Sequence, residues 1–136
     1  MRNTLLLTAV LLTSTLLAQS TITGRWTTID DNTGKAKSVV EIAVNNGVLS
    51  GRIVDLTDKS KLAKLCDKCP GDRQNKPLVG LEIIRGMKAD GDEWDDGTIM
   101  DPETGKVYDC KLWLEDGKLQ VRGYIAFFYR TQEWVR

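Results

Sequence analysis

Apolar and polar residues alternate with a period of two along most of the chain beyond residue 23. Val40, Ile42 and Val44 alternate with Val39, Glu41 and Ala43; Tyr108, Cys110, Leu112 and Leu114 fall on one face, with Asp109, Lys111 and Glu115 on the other. Leu119, Val121, Gly123, Ile125 and Phe127 likewise stand opposite Gln120, Arg122 and Tyr124. Successive side chains of an extended strand point to opposite faces, so this is the pattern of strands buried on one side. Turn-forming clusters separate the stretches: Asp30-Asp31-Asn32-Thr33-Gly34, Asn45-Asn46-Gly47, Asp90-Gly91, Pro102-Glu103-Thr104-Gly105 and Glu115-Asp116-Gly117. Asn and Gly tolerate the positive φ that tight hairpins require.

The pattern predicts eight strands, at about 24–30, 37–45, 48–56, 78–85, 92–100, 106–115, 118–127 and 129–135. One connection breaks the hairpin rhythm: Thr57 to Pro77, rich in Lys, Asp, Cys, Pro and Gly, joins the third strand to the fourth. Lys59 to Leu65 is a candidate short helical turn within it. Sequential antiparallel strands close most economically into an up-and-down barrel, which leaves no sheet edge exposed. The expected fold is therefore an all-β, antiparallel, eight-stranded barrel forming one domain over 21–136. A two-sheet sandwich is the rival, but it needs crossing connections, and only one loop is long enough to supply one.

The opening residues read differently. One positive charge at Arg2, an apolar run from Leu5 to Leu17 and the small residues Ala18-Gln19-Ser20 make a secretory signal peptide over 1–20, cleaved after Ala18 or after Ser20. The run is too short for a permanent span of the roughly 30 Å hydrocarbon layer, so no integral membrane protein is expected. No cysteine follows either cleavage point to carry a lipid anchor. The expected location is the periplasm or the exterior.

Charge and composition narrow the function classes. The chain carries 19 basic and 19 acidic residues, which gives it no electrostatic reason to seek nucleic acid or an anionic membrane, and Lys59, Lys61 and Lys64 are spaced like an ordinary solvated surface. It contains no histidine, and so lacks the usual general base, the commonest metal ligand and every Ser-His or Cys-His nucleophile pair. No enzymatic activity and no cofactor are expected.

Gly24-Arg25-Trp26 near the first strand and Trp134-Val135-Arg136 at the close of the last resemble the lipocalin pattern. In that pattern a tryptophan plugs one barrel end beneath a stacked arginine. A longer series covers nearly all of the chain beyond the leader. It runs through Asn46-Gly47-Val48-Leu49-Ser50-Gly51-Arg52-Ile53, Gly80-Leu81-Glu82-Ile83-Ile84 and Trp94 to Tyr108, and ends in Leu119-Gln120-Val121-Arg122-Gly123-Tyr124 and Arg130-Thr131-Gln132-Glu133-Trp134. It resembles the bacterial family called domain of unknown function 2147. That resemblance implies an exported, lipocalin-like (calycin-like) barrel with no assigned activity. Within the long loop, where many relatives carry Asn-Pro-Asp, this chain has Asn75-Lys76-Pro77 behind a cysteine pair.

Three groups of residues invite chemistry. Cys66-Asp67-Lys68-Cys69 lacks the βαβ setting of a thioredoxin pair, and with Cys110 it supplies three of the four ligands of a structural zinc site. In an oxidising compartment a disulfide Cys66–Cys69 is the default, with pairing of either to Cys110 as the alternative. The acidic run Asp92 to Gly97 imitates a calcium loop, but Trp94 occupies a position that must supply oxygen. A strand with Trp94, Asp96 and Thr98 on one face and a bulge or bend at Gly97 accounts for it better, and no metal site is expected. The aromatics either fill the barrel or line a pocket, since eight strands leave room for packed side chains or one small ligand.

The leading expectation is a barrel that binds a small hydrophobic molecule through Trp26, Tyr108, Leu112, Leu114, Val121, Ile125, Phe127 and Arg130. Trp26 would close one end beneath Arg130 or Arg136, and Trp113 would lie outside or over a seam. The rivals are a solid barrel that docks an envelope protein of unspecified identity, and a redox or metal protein built on Cys66, Cys69 and Cys110.

Overall fold

The computed structural model describes Val10 and residues 21–136, so the signal-peptide expectation for 1–20 lies outside the described residues. Eight strands follow one another round a single antiparallel sheet in sequence order. They are β1 (Gly24–Ile29), β2 (Ala36–Asn45), β3 (Val48–Leu56), β4 (Glu82–Asp90), β5 (Glu93–Met100), β6 (Val107–Glu115), β7 (Lys118–Ile125) and β8 (Phe128–Trp134). The sheet curls until its ends meet: the Thr27 N–H donates to the Val135 carbonyl at 2.6 Å, and the Val135 N–H donates to the Thr27 carbonyl at 3.0 Å. This is the expected up-and-down barrel, nearly closed. Among the described residues no helix is long and apolar enough to cross a membrane.

Short turns gather at one end of the barrel, and two of them place both central residues at positive φ, Asn46-Gly47 and Asp116-Gly117. Here the interior is solid. Trp26, Val40, Leu49, Ile84, Met87, Leu112 and Leu119 have no exposed surface, and Trp134 is 2% exposed. Trp26 is the plug: its indole N–H donates to the Ile22 carbonyl at 2.9 Å, and the Arg136 guanidinium lies 4.2 Å from its ring centroid. Arg136 also donates to the carbonyls of Thr23 (3.3 Å) and Thr21 (3.1 Å), tying the segment before β1 to the residue after β8. Gly24 makes the bend into β1 at φ 115°, a conformation that a residue with a Cβ rarely adopts.

Three local expectations are corrected. The fourth strand runs over Glu82–Asp90 and not 78–85. Gly80, at φ 95°, ends the loop instead, and Leu78 and Val79 pack on the core from that loop. In β5 the register shifts between Trp94 and Gly97, with Asp96 at φ 63°. This bulge breaks the period of two: Trp94 pairs with Leu112, Gly97 with Cys110 and Ile99 with Tyr108, so Gly97 and Ile99 share Trp94's face while Asp96 is exposed. Finally, β7 stops at Ile125, and Phe127 lies in the turn, 99% exposed, not on the inner stripe.

Trp113 sits half-buried on the outer wall under the Arg122 guanidinium, 4.8 Å from its ring centroid. Replacing Trp26 by Ala should cost about 3–5 kcal/mol and lower the melting temperature by at least about 10 °C. Trp113→Ala should cost less than about 1 kcal/mol. Thermal melts of the two variants check the contrast.

Candidate functional site: a cavity at the open end

Four connections meet at the other end: those between β1 and β2, β3 and β4, β5 and β6, and β7 and β8. Beneath them, above the packed half, lies a cavity of about 440 Å³. Ile53, Ile83, Ile99, Met100, Val121 and Ile125 supply its apolar wall. Tyr108 stands over Gly123, whose missing side chain leaves space on the neighbouring strand.

The polar groups are arranged in two sets. On one side, the Trp134 indole N–H donates to Gln132 Oε1 at 3.1 Å, and Gln132 Nε2 donates to Asp31 Oδ2 at 2.7 Å. Arg130 Nε lies 3.4 Å from the same carboxylate. A polar track thus climbs from the core to the rim. On the other side, the buried hydroxyls of Thr28 and Ser38 bond at 2.7 Å, below Lys37 Nζ, which lies 2.6 Å from Glu103 Oε1 and 3.8 Å from Asp30 Oδ2. The Lys37 hydrogen bond holds the Glu103 carboxyl below its ordinary range. Burial opposes the Lys37 charge, but the Glu103 hydrogen bond and the nearby carboxylates outweigh it and raise the Lys37 pKa. Backbone N–H groups of Thr33 and Asn32 lower the Asp30 pKa.

Of the residues expected to bind a ligand, Tyr108, Val121, Ile125 and Arg130 line this cavity. Trp26 and Leu112 lie below it in the solid half, fully buried; Leu114 packs on the same core; and Phe127 is outside at the hairpin tip. The stripe through β6 therefore spans both halves, and only its upper part faces the hollow. Arg136, not Arg130, stacks on Trp26, because β8 runs from the open end to the closed one and Arg130 lies near its start. Thr28, Asp31, Lys37, Glu103 and Gln132 were not anticipated. The signal for two of them was present: Thr28 shares parity with Trp26, and Gln132 with Trp134.

The long loop braces this end. Cys66 and Cys69 form a disulfide with Cα atoms 5.4 Å apart. The Cys66 sulfur rests 3.4 Å from the Pro102 carbonyl oxygen, and the Lys68 backbone passes so close to Gly105 that a Cβ there would collide with it. The disulfide segment thereby supports the connection that carries Glu103. Cys110 is a free, buried thiol whose pKa burial pushes up to about 12, with Asp95 adding to the effect. Among the described residues no group of three or more His, Cys, Asp or Glu side chains is placed to hold a metal ion.

Two outcomes follow from these groups. A carboxyl whose pKa is lowered in the folded state contributes stability above its unfolded value, and loses it as pH falls through the folded value. Urea midpoints should therefore fall as pH drops from 5 towards 3, and Lys37→Met should flatten part of that slope. Thiol titration should find one reactive group per chain in denaturant without reductant, and almost none in the native protein at pH 8.

The comparisons with known proteins agree with this geometry. The solved structure of "Protein HP1028 from the human pathogen Helicobacter pylori", described as belonging to the lipocalin family, superposes with a TM-score of 0.74 at 20% identity. The match covers 85% of this chain and 82% of that one. At that identity it shows a shared fold alone. No curated protein matches the chain. The model of a bacterial family described as "Uncharacterized protein conserved in bacteria (DUF2147)" matches residues 24–136. That span takes in all eight strands, and the chain belongs to this family.

Proposed function

We propose that the protein is an exported binding protein, of the periplasm or the exterior, that holds one small, largely apolar molecule in the open half of its barrel. The observation that carries this reading is the cavity of about 440 Å³ with an isoleucine-rich wall and a charged rim. Its volume falls within the range of roughly 300–1,000 Å³ usual for small-molecule sites. The wall would take the apolar body of the ligand, and the rim would take a polar end through Arg130, Lys37 or the carboxylates beside them. Lipocalin-like barrels are typically binding folds, and the absence of histidine supports binding over catalysis. The raised Cys110 pKa disfavours a redox role for that thiol.

Gly123 provides the test. It lines the cavity without a positive φ, and a Cβ there meets Tyr108 and Ile99 only at ordinary contact distance, 3.5 and 3.8 Å. Gly123→Leu should therefore fold normally with the hollow filled. Titration with the apolar fluorophore N-phenyl-1-naphthylamine should give saturable one-to-one binding to wild type, weakened at least about tenfold in Gly123→Leu, because filling the pocket displaces the ring. Equal binding by both would contradict the proposal.

A further inference from the structure

The turn between β7 and β8 departs from its counterparts in a way that packing does not explain. Of the other two-residue hairpins, two place Asn46 (φ 52°) or Asp116 (φ 52°) first and glycine second, and the third places Gly91 (φ 59°) first. Here Ala126 takes the same left-handed position at φ 51°, where alanine is disfavoured and cannot hydrogen-bond its own backbone as Asn and Asp do. Phe127 takes the glycine's place. Around them Ile125 is 56% exposed, Phe127 99%, Phe128 79% and Tyr129 62%. The outcome is a convex apolar tip beside the cavity mouth, with Phe128 on the rim itself.

We infer that this tip inserts into a lipid surface and docks the open end of the barrel on a membrane. Three observations choose this occupant. The first is charge. The 57–81 loop at the same end carries five exposed cations, Lys59, Lys61, Lys64, Lys68 and Lys76, against Asp58, Asp67 and Asp72. Around the other three connections Lys35, Lys37, Lys106 and Arg130 balance Asp30, Asp31, Asp101 and Glu103. Lys61 is close enough to lower the Glu103 pKa at the rim. The turns at the opposite end carry Asp90, Asp92, Glu93, Glu115 and Asp116 against Lys118. The open end thus faces an anionic surface favourably and the closed end does not.

The second is area. With roughly 150–250 Å² for each aromatic side chain, the tip offers on the order of 500 Å², below the ~800 Å² per partner of a stable protein interface. The third is form. A protruding pair of phenylalanines supplies the apolar group that buries below the headgroups, and Tyr129 beside them is a ring with one polar edge of the kind that settles at that boundary. Arg122 stacks 4.2 Å from the Tyr129 ring centroid and holds that ring on the outer wall.

Docking would set the cavity mouth against the membrane, but the surface stands whether or not the cavity is occupied. The probe is a set of extruded vesicles of phosphatidylethanolamine and phosphatidylglycerol, mixed with protein as isolated from cells expressing the full chain. Because the compared proteins share the same amino terminus, any leader that remains contributes equally to both. Wild type should co-sediment with the vesicles, less so at high salt. The double variant Phe127→Ser/Phe128→Ser should lose binding at least about tenfold while melting at the wild-type temperature. Gly123→Leu should sediment like wild type, which separates this inference from the ligand reading. In Phe127→Trp the added tryptophan emission should shift to the blue on vesicle addition.

Equal sedimentation of wild type and the double variant would overturn the inference, as would an unshifted Phe127→Trp spectrum. So would a wild-type dimer that the double variant abolishes and that ignores vesicles, since the tip would then be a contact between two copies.

Discussion

The stacking of Arg136 on Trp26 holds the first and last strands of the barrel together. A meander of eight strands has two free edges, and nothing in its hairpins brings those edges together. The residues before β1 and after β8 do so: the indole is buried beneath the guanidinium, and that guanidinium bonds to two carbonyls of the incoming chain. The hydrogen bonds between Thr27 and Val135 lie next to the plug. Once this end is sealed and packed solid, the strands are fixed in register and the opposite end can be hollow without collapsing.

The two ends are consequently built from different materials. Tight turns and completely buried side chains make the closed end a structural core. At the open end, cross-strand packing gives way to cross-loop pairing. Lys37 joins Glu103, Arg130 and Gln132 join Asp31, and the disulfide segment leans on the turn at Gly105. Such pairs are partly exposed and individually weak, so together they shape a rim that can yield to a ligand more readily than the core can. The apolar tip at Phe127 and Phe128 belongs to this end as well, within a few residues of the rim.

Much of the architecture was legible in the sequence because strand parity and Asn-Gly or Asp-Gly turns are local signals. The plug was legible through the resemblance of Gly24-Arg25-Trp26 to the lipocalin pattern, though not which of Arg130 and Arg136 covers it, and the disulfide from its spacing together with the expected export. What failed did so where a local rule was broken. The bulge at Asp95 and Asp96 reversed the parity of β5, and Gly80 delayed β4. The Ala126-Phe127 turn carried no turn residue to mark it, so the stripe through Leu119 and Val121 was read one step too far. The site was half legible. Parity tells inside from outside, but not how far along the barrel the packed half gives way to the hollow. That level depends on the sizes of side chains contributed by every strand at once, so Leu119 and Val121, neighbours on one inner stripe, look alike in sequence and differ in role.

Native mass spectrometry of the protein purified from its own source cells tests the central claim most directly. If the open half of the barrel carries a small apolar molecule, wild type should show a discrete added mass that collisional activation releases, and Gly123→Leu should show the bare polypeptide. An identical bare polypeptide in both, under conditions that keep the disulfide and the fold intact, would contradict the account.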